Sequence, residues 1–322
     1  MNLFVIGAGF TKALFPDAPL NGELLSILTK RISRSASKEL IERYKTRDIE
    51  IAITKLDADV ASSKTRRKRE KLIKLRRSIE RDLVRYFLQY RASDELLKAT
   101  PWLKKLLDKG VRRGDVAVSL NYDCVFEGAL DCRRKWSPNG GYGLVFNNNP
   151  LVSNNETTKS PATVLKIHGS TSFRISPYAD KPSSVAMGFG VNEHLFPRSG
   201  KNKHFEFGLG RGQSYVIAPS YVKVPTVEIT YLMLDALKAA AKAKNFVIIG
   251  CGFRPEDTFL TILLTYFLRQ PTWRQRKIIV VDPHAHAITS RIQTYWGVKI
   301  ATIPIESGVE ESVDQLLKTI QP

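Results

Sequence analysis

The sequence predicts an open, doubly wound, mostly parallel α/β sheet, and three observations predict it. Short apolar segments recur along the 322 residues, several of them apolar throughout, as strands covered on both faces must be. Helical patterns separate most of these segments, and strand–helix alternation builds a layered α/β domain. Several of the segments end in glycine or in a polar residue, at the strand ends where such sheets hold their ligands.

The elements follow in chain order. Asn2–Ile6 is a strand that runs into Gly7-Ala8-Gly9, and Leu20–Ile32 is a helix. Residues 33–92 form a charged helical insertion, in which Leu72, Leu75, Ile79, Leu83, Tyr86 and Tyr90 recur at steps of three and four. That spacing lays one apolar stripe along a long amphipathic helix. A helix over Ser93–Lys109 precedes the strand Asp115–Leu120, and a helix over Cys124–Arg133 follows it. Residues 137–161 and 176–212 are rich in Gly, Asn, Ser and Pro; they read as a loop-rich small module on either side of the strand Thr163–Ile167. The strand Tyr215–Ala218, the helix Thr226–Ala243 and the strand Asn245–Ile249 come next. The helix Pro255–Leu268, the strand Lys277–Val281, the helix Ala285–Tyr295, the strand Val298–Ile303 and the helix Val309–Ile320 complete the chain. The expectation is one domain over 1–322 carrying the insertion and the module.

Composition narrows the class. Hydrophobic residues make up 43% and charged residues 25%, which is ordinary for a soluble globular protein. No apolar run nears the roughly 20 residues that span a bilayer. No basic segment precedes a hydrophobic one at the N-terminus, so a cytoplasmic protein is expected. The three cysteines, Cys124, Cys132 and Cys251, form no C-x-x-C pair, which speaks against a disulfide framework and a four-cysteine zinc site. The net charge of +19 favours polyanions, and Lys64–Arg91 concentrates it, with twelve Lys or Arg against three acids.

Five strand ends carry residues suited to chemistry, each with two readings. Gly7-Ala8-Gly9 admits either close approach of a phosphate or a tight strand-to-helix turn. It lacks the third glycine of the dinucleotide fingerprint and an acid about 20 residues on, so an ordinary dehydrogenase is not expected. Asn121 and Asp123, in "SLNYD", either meet a ligand or cap the next helix. His168, in "LKIHGS", either works as an acid–base group or is structural. Gly250 and Gly252, in "FVIIGCGFRPED", form a second strand–glycine–helix junction. Asp282, in "IIVVDP", either accepts from ribose hydroxyls or caps the helix from Ala285.

In this order the motifs resemble the sirtuin family, specifically the bacterial sirtuin-like NAD-hydrolysing effectors of antiphage defence. "GAGFT" resembles the family's G-A-G-x-S loop, "LNYD" its Q-N-x-D element and "KIHGS" its catalytic His-Gly. "IAPSYVK" and "IIGCGFRPED" resemble the Pro-Ser and Gly-x-Ser/Gly-x-x-Pro-x-D stretches of the defence branch. The zinc ribbon of deacylating members, with its two C-x-x-C pairs, is missing. The family's Gln is Leu120, and Pro16-Asp17 leads into Ala18-Pro19 instead of Phe-Arg.

The resemblance implies a Rossmann-like fold and an NAD+ glycohydrolase that depletes NAD+ in antiphage defence, with NAD+ as substrate and no metal. It implies that Gly7, Ala8, Gly9 and Thr11 cradle the pyrophosphate and that Asp123 holds the nicotinamide carboxamide. Asn121 would orient the ribose or the attacking water, His168 would act as base, and Gly250, Gly252 and Asp282 would line the adenosine end. It also implies a homo-oligomer working with a partner such as a hexameric ATPase or a short Argonaute. A nucleic-acid-binding or nuclease subunit is the alternative, with the Lys64–Arg91 helix along phosphates. That helix has two other readings: its stripe packs on the core with its charges solvated, or it serves assembly with a protein partner.

Overall fold

The computed structural model describes residues 1–31, 36–143, 160–175, 189–191, 195–198, 213–221, 227–254, 257–296 and 301–321. Most of the loop-rich stretches 137–161 and 176–212 lie outside these residues, as do the first three positions of the expected strand Val298–Ile303.

The chain begins with β1 (Asn2–Ile6), α1 (Ala8–Leu14) and α2 (Asn21–Arg31). The insertion follows as α3 (Ala36–Tyr44), α4 (Ile49–Ser62) and α5 (Arg66–Phe87). Next come α6 (Asp94–Ala99), α7 (Pro101–Lys105), β2 (Val116–Ser119), α8 (Val125–Cys132) and α9 (Pro138–Gly141). β3 (Thr163–Lys166), β4 (Gly169–Ile175), β5 (Phe189–Val191) and β6 (Gln213–Val216) occupy the middle. The last third holds α10 (Val227–Lys242), β7 (Asn245–Ile249), α11 (Thr258–Leu268), β8 (Lys277–Val281), α12 (Ala285–Trp296), β9 (Ala301–Ile305) and α13 (Val309–Ile320).

Six strands form one parallel sheet in the order β3-β2-β1-β7-β8-β9. The chain winds outward from β1 to β3, then returns to build the other half from β7. The strand order therefore reverses between β1 and β7, and that switch point opens a crevice at the carboxyl ends. The expected open, doubly wound α/β sheet is the fold observed. β1 is buried along its whole length, because helices cover both faces of a parallel sheet.

Two expected elements differ. Tyr215–Ala218 does not join the main sheet: β6 pairs antiparallel with β4 in a small sheet of order β5-β4-β6. Gly169 is the cause. Its φ of +75° turns the chain straight after His168, and a Cβ there would lie 2.5 Å from the Tyr215 carbonyl oxygen. The helix expected over Ser93–Lys109 breaks at Thr100, because Pro101 has no N–H and its ring clashes inside a helix. Pro101 instead opens α7, and a π turn over Leu106–Gly110 ends the segment.

The stripe of α5 is used inside the chain. Ile79 and Leu83 are fully buried, and Leu72, Leu75, Tyr86 and Tyr90 nearly so, with α5 packed on α4, α3 and the small sheet. The stripe thus packs against helices and strands of its own chain. The carboxyl end of α5 reaches the main sheet's edge. The Phe87 and Tyr122 rings stand 5.4 Å apart, and Tyr90 Oη donates to the Asp17 carbonyl at 3.2 Å. Among the described residues no helix is long and apolar enough to cross a membrane.

Candidate functional site

The main sheet brings five of the singled-out positions to one edge. His168 follows β3, Asn121 follows β2, Gly7 follows β1, Gly250 follows β7 and Asp282 follows β8. These five strands are neighbours, so the row spans four strand spacings, about 19 Å.

The two glycine junctions meet each other. The Gly7 N–H donates to the Ile249 carbonyl at 3.0 Å, and the Gly9 N–H donates to the Gly250 carbonyl at 2.9 Å. A Cβ on Gly7 would fall 2.5 Å from Gly250 O, and one on Gly250, whose φ is +58°, would fall 2.4 Å from Phe10 N. Backbone packing between β1 and β7 therefore accounts for these glycines. The Gly7 and Gly9 N–H groups thus serve protein carbonyls. Ala8 and Gly9 remain half-buried at the first turn of α1.

Next to this contact runs a directed chain of hydrogen bonds. Asn121 Nδ2 donates to Gly7 O and to Thr11 Oγ1, each at 3.0 Å. Thr11 Oγ1 in turn donates to Asp123 Oδ2 at 2.9 Å. Asp123 Oδ1 accepts from the Val125 N–H at 3.0 Å at the start of α8. Thr11 and Asp123 are each 2% exposed. Burial pushes the Asp123 carboxyl up, and the Lys166 ammonium and these hydrogen bonds pull it back down. Asp123 Oδ1 thus takes the first N–H of α8, and the Asn121 amide bonds Gly7 and Thr11 instead. Thr11 and Asp123 are thus bonded to each other, side chain to side chain. Asn121 spends both amide hydrogens inward and is half-buried, so Oδ1 is the acceptor it presents.

His168 stands one strand over. Its Nδ1 lies 3.3 Å from the Leu120 carbonyl oxygen. A carbonyl only accepts, so Nδ1 carries the hydrogen and Nε2 is the basic nitrogen of the neutral ring. The His168 carbonyl accepts from the Ile217 N–H at 2.9 Å, which seats the ring between the two sheets. At the other end of the row, Asp282 Oδ1 accepts from the His284 N–H at 2.9 Å, a turn-stabilising bond ahead of α12, and Asp282 is half-buried. Gly252 is exposed with open space around its Cα, and its carbonyl accepts from Arg291 Nη1 at 2.8 Å.

Two buried charges beneath the site are not singled out by the sequence. Lys166, in β3, and Glu127, in α8, form an ion pair of 3.2 Å with side chains 0% and 1% exposed. Burial raises the Glu127 carboxyl, against the pull of Lys166. "TVLKIHGS" does hold one signal, a lysine inside a run that is otherwise apolar. Among the described residues, no group of three or more His, Cys, Asp or Glu comes together that could hold a metal ion.

No protein-family model matches the chain, and no curated protein matches it. Among solved structures it is similar to a serine-to-alanine mutant of a Sir2 homologue in complex with ADP-ribose. That likeness has a TM-score of 0.45 at 13% identity, over 100% of this chain and 94% of the other. It is also similar to a histidine-to-asparagine mutant of a Sir2 homologue in complex with ADP-ribose, with a TM-score of 0.43 at 13% identity, over 99% of this chain and 91% of the other.

Proposed function

We propose that the chain is an NAD+ glycohydrolase whose substrate lies along the carboxyl ends of β3, β2, β1, β7 and β8. The observation that carries this reading is the hydrogen-bonded chain Asn121–Thr11–Asp123 at the switch point, with His168 on the adjoining strand. Asn121 and His168 follow neighbouring strands at the edge where such sheets bind nucleotides.

The chemistry asks for little more. The C1′–N bond of NAD+ breaks with both electrons going to the pyridinium nitrogen, so nicotinamide leaves neutral and needs no proton. Positive charge develops on the ribose as in other glycoside cleavages. Asn121 Oδ1 orients the ribose or the water. Water adds to C1′ and gives its proton to His168 Nε2, which leaves ADP-ribose. Asp123 holds Thr11, and through it the Asn121 amide, in place. Ala8 and Gly9 face the phosphates, and Gly252 and Asp282 face the adenosine end. The resemblance extends the proposal to NAD+ depletion in antiphage defence within an assembly.

The test is to mix the purified chain with NAD+ and follow nicotinamide and ADP-ribose. Stoichiometric appearance of both, lost in His168→Ala, supports the reading. No release from NAD+ under any assembly state of the protein overturns it.

A further inference from the structure

We propose that Lys166, neutralised by Glu127, is a positioning residue for this site: its buried ammonium holds the Asn121–Asp123 turn in the shape that lets Asn121 and Thr11 bond. The proposal rests on the reading of the site given above.

An ammonium inside a parallel strand is costly, and a buried ion pair gives little net stability over apolar residues of the same size. Its placement explains its presence better than stability does. Lys166 Nζ has three donors and meets three acceptors: Ser119 Oγ at 3.3 Å, the Asp123 carbonyl oxygen, and Glu127 Oε1 at 3.2 Å. These belong to β2, to the turn after it and to the first turn of α8. One side chain of β3 thus fixes the whole β2–α8 connection. The Asp123 carbonyl sits at a bend between strand and helix, where a buried backbone acceptor needs a partner from elsewhere. The carboxylate of the same residue receives Thr11, which receives Asn121.

Glu127 extends the brace to the other strand end. Its Oε1 accepts from Tyr142 Oη at 3.2 Å, and Tyr142 Oη lies 2.9 Å from Ser172 Oγ. Ser172 Oγ is 2.9 Å from Ser170 Oγ, two residues beyond His168. The second Glu127 oxygen, Oε2, is buried without a hydrogen-bond partner among the described atoms. A carboxylate chosen for packing alone would be outdone there by leucine.

The test is the double variant Lys166→Met/Glu127→Leu, which removes the charges as a pair. A merely structural pair predicts a stable protein with unchanged nicotinamide release. Positioning predicts a cooperatively folded protein whose kcat falls about 10–100-fold, the range known for outer partners that orient metal-binding side chains. The 15N signal of the Asn121 side-chain amide, assigned by its loss in Asn121→Ala, should shift as well. Unchanged release with an unmoved signal overturns the proposal. Should the double variant not fold, Glu127→Gln keeps the shape and loosens the hold on Lys166. It should then lower release about threefold to tenfold and move the same signal, and no change in either overturns the proposal. A wild-type protein that releases no nicotinamide sinks the functional reading alone. The Asn121 signal then decides: a shift supports the role of Lys166 and an unmoved signal overturns it.

Discussion

Asn121 and Thr11 are joined side chain to side chain across 110 positions of sequence, with Asn121 Nδ2 donating to Thr11 Oγ1 at 3.0 Å. The hydroxyl passes the bond on to Asp123, so one buried threonine sets the angle of the amide that faces the crevice. Thr11→Val keeps the shape and deletes the relay, leaving a buried carboxylate oxygen unpaired. It should cost about 1–3 kcal/mol in denaturant unfolding and lower nicotinamide release, and Thr11→Ser should restore both. Equal stability of the valine and serine variants would contradict the relay.

His168→Ala and Asn121→Ala should each lower nicotinamide release at least about 100-fold, the lower bound for a positioned acid–base or orienting group. Both side chains sit at strand ends, so the far-ultraviolet circular dichroism of the variants should match the parent. Parental turnover in either variant refutes its role.

The glycines of the second junction should separate cleanly. Gly250→Ala sets a methyl 2.4 Å from Phe10 N at a φ of +58°. Overpacking and a left-handed alanine together should cost about 2–4 kcal/mol. Gly252→Ala meets nothing within 4 Å and should stay within about 0.5 kcal/mol. Urea midpoints of the two variants decide.

Burial pushes the Cys251 thiol up to about 12 from 9.0. For a group whose folded value is raised, stability is present below the unfolded value and is lost as pH rises through the folded one. Stability should therefore fall between pH 9 and 12, by about 1.4 kcal/mol per pH unit from this group alone. Cys251→Ala should flatten that slope. All three cysteines are buried and free, so a thiol reagent at pH 8 should label none in the native protein and three after unfolding. Rapid native labelling would contradict the burial.

The two sides of α5 should respond oppositely. Arg66, Arg67, Lys68 and Arg69 are exposed, and their reversal to Glu should change stability by less than about 0.5 kcal/mol. Leu83 is fully buried, and Leu83→Ala should cost about 2–5 kcal/mol. Duplex binding by the wild type, falling with salt at a log–log slope near −0.9 per phosphate neutralised and lost in the reversed variant, would assign the exposed side to nucleic acid.

Much of the frame was legible in the sequence. β1, β7 and β8 coincide with Asn2–Ile6, Asn245–Ile249 and Lys277–Val281, because each is a nearly pure apolar run closed by a glycine or an acid. The amphipathic α13 coincides with Val309–Ile320. Tyr215–Ala218 was misplaced for a reason of the same kind: four residues show strand character but carry no sign of which sheet they join. Of the site, the strand ends were legible, and the partners of the residues on them were not.

Periodicity is a local property, so the sequence by itself determined the alternation of strands and helices and the residue types at the carboxyl ends. Pairing over long separations has no local trace. "GAG" gives no sign by itself that Gly250 packs against it. Lys166 reads as a flaw in an apolar run until Ser119, the Asp123 carbonyl and Glu127 are found around its ammonium. Tertiary structure decided both, because a close backbone contact and a buried charge are settled by which atoms the fold brings within about 3 Å, and residues far apart in sequence supply those atoms.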